Sequence, residues 1–122
     1  MTAPSILLLE HDATTRELIL ATLMEAGLRV TTTPPAPEKS DEVRVVVADL
    51  ERPKGLGAEL LGKLRKQYSY ARVLAISGRF DIPPGAAASV ARQIGADLVL
   101  PKPLDFRALL AHVRHLLAGD AP

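Results

Sequence analysis

Cysteine is absent, tryptophan is absent, and two tyrosines and two phenylalanines are all the aromatic residues among 122. Without cysteine there are no disulfides, no thiolate metal sites and no cysteine nucleophile, a composition that suits a reducing compartment. Four aromatic residues are too few to stack a flavin. Charge of one sign is also lacking. Fifteen Lys and Arg stand against 14 Asp and Glu, a formal net charge of +1, and no Lys/Arg stripe is present to bind nucleic acid. No apolar run approaches the roughly 20 residues of a membrane-spanning helix, and residues 1–5 lack the charged and apolar regions of a signal peptide. The expectation is a soluble cytoplasmic protein with no direct nucleic-acid binding and no membrane association.

Aliphatic residues dominate what is present. Hydrophobic residues make up 48% of the chain, almost all Ala, Val, Ile and Leu, which suits strands buried on both faces of a parallel sheet. Short apolar runs at Ile6–Leu9, Val43–Ala48, Val73–Ile76 and Leu98–Leu100 read as such strands, and the β-branched stretch Leu28–Thr33 as another. Helical periodicity falls between them. Ala13–Ala26 carries Leu18, Ile19, Thr22, Leu23 and Ala26 on one face, with Asp12 as N-cap and Gly27 as its stop. Gly57–Gln67 turns Leu60, Leu61 and Leu64 inward, and Ala86–Ile94 is closed by Gly95. The last helix, Asp105–Leu117, has Phe106, Leu109, Leu110, Val113 and Leu117 as its stripe, leaving His112 and His115 on the outer face.

Between the second and third strands, Pro34, Pro35 and Pro37 preclude a regular helix and allow at most one turn around Pro37–Glu42. One side of the sheet should then be thinly covered, exposing an apolar patch or a docking surface. The expected architecture is α/β: a flavodoxin-like three-layer sandwich with a five-stranded parallel sheet of order 2-1-3-4-5 and a shortened or absent second helix. One domain should span residues 1–122, with 118–122 a disordered tail.

In such sheets the ligand site lies beyond the carboxyl ends of the strands. The first strand delivers Glu10, His11 and Asp12 there. The third delivers Asp49, the fourth Ser77 and Gly78, and the fifth Lys102. A carboxylate can attack phosphorus and form an acyl phosphate. The transition state then needs its phosphoryl oxygens positioned and neutralised, work that an amine, a hydroxyl and a divalent cation can share. A flavodoxin-like carrier or enzyme is a poorer reading, because the first loop has no Ser/Thr/Gly cradle for phosphate.

Four segments together resemble the receiver domain of two-component response regulators. Ile6-Leu-Leu-Leu-Glu-His-Asp with Arg16 is similar to its acidic opening, and Val45-Val-Val-Ala-Asp49 followed by Pro53 and Gly57 to its acceptor segment. Val73-Leu-Ala-Ile-Ser77-Gly78 resembles its hydroxyl-bearing strand, and Leu98-Val-Leu-Pro-Lys102-Pro103 its lysine–proline element. The resemblance implies that Asp49 accepts a phosphoryl group from a histidine kinase or phosphotransfer protein. It implies Mg²⁺ bound by Glu10, Asp49 and the Glu51 backbone carbonyl, with Ser77 and Lys102 holding phosphoryl oxygens. It further implies that a downstream effector, or a second copy of the chain, reads the face formed by the Ala86–Ile94 helix, the fifth strand and the last helix. Such a domain is no enzyme beyond catalysing its own phosphorylation and dephosphorylation.

Two positions depart from the pattern. His11 stands where the resemblance puts a second acidic metal ligand. Loop histidines are more often simply hydrogen-bonded, but imidazole as a ligand would favour Mn²⁺ over Mg²⁺. A register shift making Asp12 the second acid conflicts with Arg16 and the strand. Val99 replaces the aromatic residue whose rotamer reports phosphorylation, and a β-branched side chain has little freedom to switch. A degenerate receiver that binds its partner without phosphorylation is therefore the alternative function. The stretch Ile82–Gly85 reads as an insertion beside the pocket, placed as a lid would be.

Overall fold

Runs of Val, Ile and Leu form the strands, and the two sides of each run go to different half-cores. The structure, a computed structural model, describes residues 5–50 and 56–119. In chain order the elements are β1 (Ile6–Leu9), α1 (Ala13–Glu25), β2 (Val30–Thr31), a 3-10 helix (Pro37–Glu42), β3 (Val45–Asp49), α2 (Leu56–Gln67), β4 (Arg72–Ser77), α3 (Ala87–Ile94), β5 (Leu98–Pro101) and α4 (Phe106–Leu117). All strand pairs are parallel and the order is β2-β1-β3-β4-β5, the flavodoxin-like topology expected.

Side chains alternate across the sheet. Ile6, Leu8, Val45, Val47, Leu74, Ile76 and Leu100 pack with Ile19 and Leu23 of α1 and with Leu109, Val113 and Leu116 of α4. Leu7, Val46, Ala48, Val73, Ala75 and Val99 pack on the other side with Leu61, Leu64 and Tyr68 and with Ala91 of α3. The chain's polar residues at strand ends escape both half-cores and collect above the carboxyl edge.

Helix ends follow the capping residues. The Asp12 carboxylate accepts from the Thr15 N–H at 2.9 Å and from its hydroxyl at 2.6 Å. At the other end Gly27 takes φ +82° and donates to Met24 O, while Leu28 donates to Leu23 O, the paired bonds of a left-handed glycine stop. Gly95 ends α3 the same way at φ +88°. The Asp105 carboxylate accepts from the N–H groups of Arg107 and Ala108.

Several expectations need correction. β2 covers two residues rather than Leu28–Thr33, because Leu28 is spent closing α1 and the Thr31 hydroxyl bonds Thr33 at N–H and C=O, bending the chain away. Leu18 is exposed, since the buried stripe of α1 runs through Ile19 and Leu23 with Leu20 beside it. His112 and His115 are half-buried rather than on an outer face, and burial, with His115 nearby, holds His112 below the usual imidazole range. Ala118 and Gly119 are not a loose tail. Their N–H groups bond Arg114 O and Leu116 O, and the Gly119 carbonyl accepts from Arg72. Residues 120–122 lie outside the described residues.

The second helix is reduced to the 3-10 turn, as the prolines require, yet the sheet below it is not bare. Leu7, Val43, Val46 and Tyr68 are buried there. Among the described residues the large exposed apolar side chains are Leu18, Met24 and Tyr70, none of them on a strand. The segment after β4 is anchored by Phe80 and Ile82, which pack against the α2–α3 half-core.

One polar clamp has no signature in the sequence. The Asp97 carboxylate accepts the Val73 N–H at 2.7 Å and pairs with Arg65 Nη2 at 3.0 Å, while Arg65 also donates to Gly95 O. It fastens α2 to the start of β5 and satisfies an amide at the start of β4. Asp97→Ala should lower stability by about 2 kcal/mol, because the amide of buried Val73 loses its acceptor, and Asp97→Asn should recover part of it. Urea unfolding of the two variants beside wild type checks this.

Candidate functional site

Four strand ends converge at the carboxyl edge. Glu10 follows β1, Asp49 ends β3, Ser77 ends β4 and Lys102 follows β5, with Asp49 beside Ile76 and Ser77 beside Pro101 in register. Parallel pairing forces this meeting, because equal register brings every strand to its end at about the same height.

Glu10 is the most deeply fixed member. Its side chain is fully buried, Lys102 Nζ lies 2.9 Å from Oε1, and the Asp12 N–H donates to Oε2 at 3.1 Å. Arg16 Nη1 donates to the Glu10 carbonyl at 3.0 Å. The first helix thus holds the backbone from which this acid projects. In the sequence Arg16 is only part of a pattern, and its bonding role is visible only in three dimensions.

Asp49, 3% exposed, has Lys102 Nζ at 3.4 Å and His11 Nδ1 at 2.6 Å, both at Oδ2. At 2.6 Å the imidazole nitrogen is in direct contact with this carboxylate oxygen. His11 Nδ1 is also 3.5 Å from Glu10 Oε2, so the imidazole spans both acids while more than half its surface faces solvent. The lysine therefore stands nearer Glu10 than Asp49, and the histidine takes up the other acid. Asp12, the alternative second acid, is committed to capping α1.

The electrostatics follow. Burial pushes the Asp49 carboxyl above the usual Asp range, and Glu10, as bond partner and as charge, pushes it further; Lys102 and His11 oppose this in part. Burial also pushes Glu10 up, but the bonds from Lys102 and the Asp12 amide outweigh it and leave Glu10 below the usual range. Lys102 loses by burial and gains more from Glu10 and Asp49, so its ammonium is held firmly charged.

Ser77 is fully buried, and its Oγ accepts from the Arg79 N–H at 3.0 Å. The Lys102 N–H donates to Ser77 O at 2.9 Å, which ties the two strand ends together by backbone. The structure brings Glu10, His11, Asp49 and Lys102 into direct contact and places Ser77 beside them without an ion-pair role. Glu51 lies outside the described residues, as do Pro53 and Gly55. Val99 is buried within β5, in the α2–α3 half-core.

A divalent cation fits this donor set. One ligand atom each from Glu10, His11 and Asp49 lies within 4.8 Å of the others. The buried oxygens Glu10 Oε1 and Asp49 Oδ2 receive no hydrogen bond of good geometry despite their charged neighbours. Buried carboxylate oxygens in that condition are suited to coordinate a cation.

Known proteins share both the sequence pattern and the fold. No protein-family model matches the chain. The C4-dicarboxylate transport transcriptional regulatory protein DctD of Pseudomonas aeruginosa is 36% identical over 117 residues, 92% of this chain and 25% of that protein. The transcriptional regulatory protein FixJ of Azorhizobium caulinodans is 30% identical over 118 residues, 93% of this chain and 54% of that one. The chain thus spans between a quarter and about half of the curated relatives it matches. Among solved structures, a CheY-like response regulator receiver domain protein from Methanospirillum hungatei superposes with a TM-score of 0.73 at 21% identity, covering 97% of this chain and 96% of that one. With the 2-1-3-4-5 sheet and the acid–lysine pocket at its carboxyl edge, the chain has the fold of that receiver domain and is similar in sequence, over most of its length, to a part of these two regulatory proteins.

Proposed function

We propose that this chain acts as a receiver, takes a phosphoryl group onto Asp49 from a histidine kinase or phosphotransfer protein and thereby changes its affinity for a partner. One observation carries the reading: Asp49 is a buried strand-end carboxylate whose Oδ2 has Lys102 at 3.4 Å and no good hydrogen bond. An Asp49 oxygen attacks phosphorus, the P–N bond of the phosphohistidine breaks, and the imidazole leaves with its electron pair and takes a proton. Lys102 would neutralise a phosphoryl oxygen, and its 2.9 Å ion pair with Glu10 Oε1 keeps the amine nearby. Ser77 Oγ is the nearby hydroxyl that could turn toward another oxygen, at the expense of its bond from Arg79. Glu10 and Asp49, with the Glu51 carbonyl, would hold Mg²⁺ or Mn²⁺, which when bound supplies neutralisation of the crowded negative charge. His11 must give up its contact with Asp49 Oδ2 for that oxygen to react.

The readout is assigned to the face of α3, β5 and α4, through a separate effector or a second copy, in the cytoplasm and without nucleic acid or membrane. A second reading, partner binding without phosphorylation, is favoured by Val99: a buried valine offers no rotameric switch between pocket and face. Borohydride trapping tests the first reading. Treatment of the phosphorylated protein should convert residue 49 to homoserine in the peptide map, and homoserine elsewhere or nowhere contradicts it. Partner affinity identical in wild type and Asp49→Asn under phosphorylating conditions would move the weight to the second reading.

A further inference from the structure

The pocket carries a nitrogen ligand where two carboxylates alone would make an all-oxygen site. Glu10 and Asp49 are buried, each with an oxygen that receives no good hydrogen bond, and His11 Nδ1 lies 2.6 Å from one acid and 3.5 Å from the other. Asp12 cannot restore an oxygen, because its carboxylate is bonded twice to Thr15 at the start of α1. Lys102, 2.9 Å from Glu10 and 3.4 Å from Asp49, cancels one of the two negative charges. The pocket therefore attracts cations by charge less than a site with a third acid would.

Mg²⁺ depends on charge, demands oxygen ligands and sheds water reluctantly. First-row transition ions bind imidazole well, and in the order Mn²⁺ below Co²⁺ below Ni²⁺ for a given site. We infer that His11 makes this pocket selective for nitrogen-accepting divalent transition ions, Co²⁺, Ni²⁺ and Zn²⁺ above Mn²⁺, at the expense of Mg²⁺. The inference rests on the reading of Glu10 and Asp49 as a receiver's cation ligands, and makes His11 the residue that sets which cation they take. The ion takes the Nδ1 lone pair, so a proton carried on that nitrogen leaves to solvent on binding.

Titration calorimetry on the metal-stripped protein with CoCl₂ and MgCl₂ tests it, with the Co²⁺ absorption spectrum as a second readout. Wild type should bind one Co²⁺ more than about tenfold tighter than Mg²⁺. The Co²⁺ site should be lost in His11→Ala, and His11→Asp should narrow the gap by about tenfold while strengthening Mg²⁺. His112 and His115, three residues apart on α4, are the only other histidines, and the His11 variants leave them in place. Because His11 is mostly exposed, its variants should fold as wild type does, and thermal unfolding checks that. Equal or tighter Mg²⁺ binding in wild type, or Co²⁺ binding that survives in His11→Ala, overturns the inference. Phosphorylation is scored separately. His11-dependent Co²⁺ binding without any phosphoryl adduct would leave this inference standing and remove the receiver chemistry; an Asp49 adduct in Mg²⁺ with no Co²⁺ preference would do the reverse.

Discussion

Replacing Lys102 by alanine is expected to destabilise the fold by about 3 kcal/mol at neutral pH, because it strips the cation from two buried acids. Nζ lies 2.9 Å from Glu10 and 3.4 Å from Asp49, and the two acid side chains are 0% and 3% exposed. Removing one partner of a buried pair is far costlier than the pair is worth, since the remaining charges cannot return to water.

The effect must depend on pH in a particular sense. In wild type the two acids oppose each other. Glu10, held below its ordinary range, contributes stability that is present above that range and lost as pH falls through its folded value. Asp49, held above its range, contributes stability that is present in acid and lost as pH rises through its folded value. Without Lys102 the chief bond that lowers Glu10 is gone, so both acids move upward and both lose stability as pH rises. The deficit should therefore be largest at neutral pH and shrink toward the ordinary carboxylate range. Urea midpoints at neutral and mildly acid pH measure it, and a deficit equal at both contradicts the placement of Lys102.

Ile76→Ala should cost more still, roughly 3 to 4 kcal/mol. Ile76 is fully buried against α1 and α4, and lies beside Asp49 in register. Its carbonyl accepts the Leu50 N–H at 2.7 Å, which fixes the chain as it leaves Asp49. The cavity would open under the pocket floor, so the variant should also phosphorylate more slowly. A urea midpoint that falls with an unchanged slope is the expected signature. A loss below about 1 kcal/mol would mean that the half-core around Ile76 is looser than the burial indicates.

The strands are legible in the sequence because burial on both faces leaves an unbroken aliphatic run, as in Val45-Val-Val-Ala, and because each run ends at a polar residue. Those ends also form the candidate site, so Glu10, Asp49, Ser77 and Lys102 stand out together from the residue pattern alone. The caps at Asp12, Gly27, Gly95 and Asp105 are equally readable, since each depends on a single residue's local chemistry. What the pattern hides is which bonds and contacts the residues finally make. Periodicity gives α1 a stripe but not its centre, so it puts Leu18 inside, whereas Leu18 is exposed. The β-branched stretch Leu28–Thr33 has the composition of a full strand, yet Leu28 and Thr31 find local bonds that shorten it. Spacing cannot tell that Lys102 favours Glu10 over Asp49, that His11 turns inward to Asp49, or that Tyr68 is buried in the half-core with Leu61 and Leu64.

Transfer of a phosphoryl group to Asp49 is the step on which the proposed signalling depends. Intact mass after incubation with a small-molecule phosphodonor, once with Mg²⁺ and once with Mn²⁺, measures this. Asp49→Asn is the control, and it should stay folded because Glu10 keeps Lys102. A single phosphoryl adduct on wild type and none on Asp49→Asn is the predicted result. No adduct with either metal, or an adduct that persists in Asp49→Asn, contradicts the assignment of Asp49 as the acceptor.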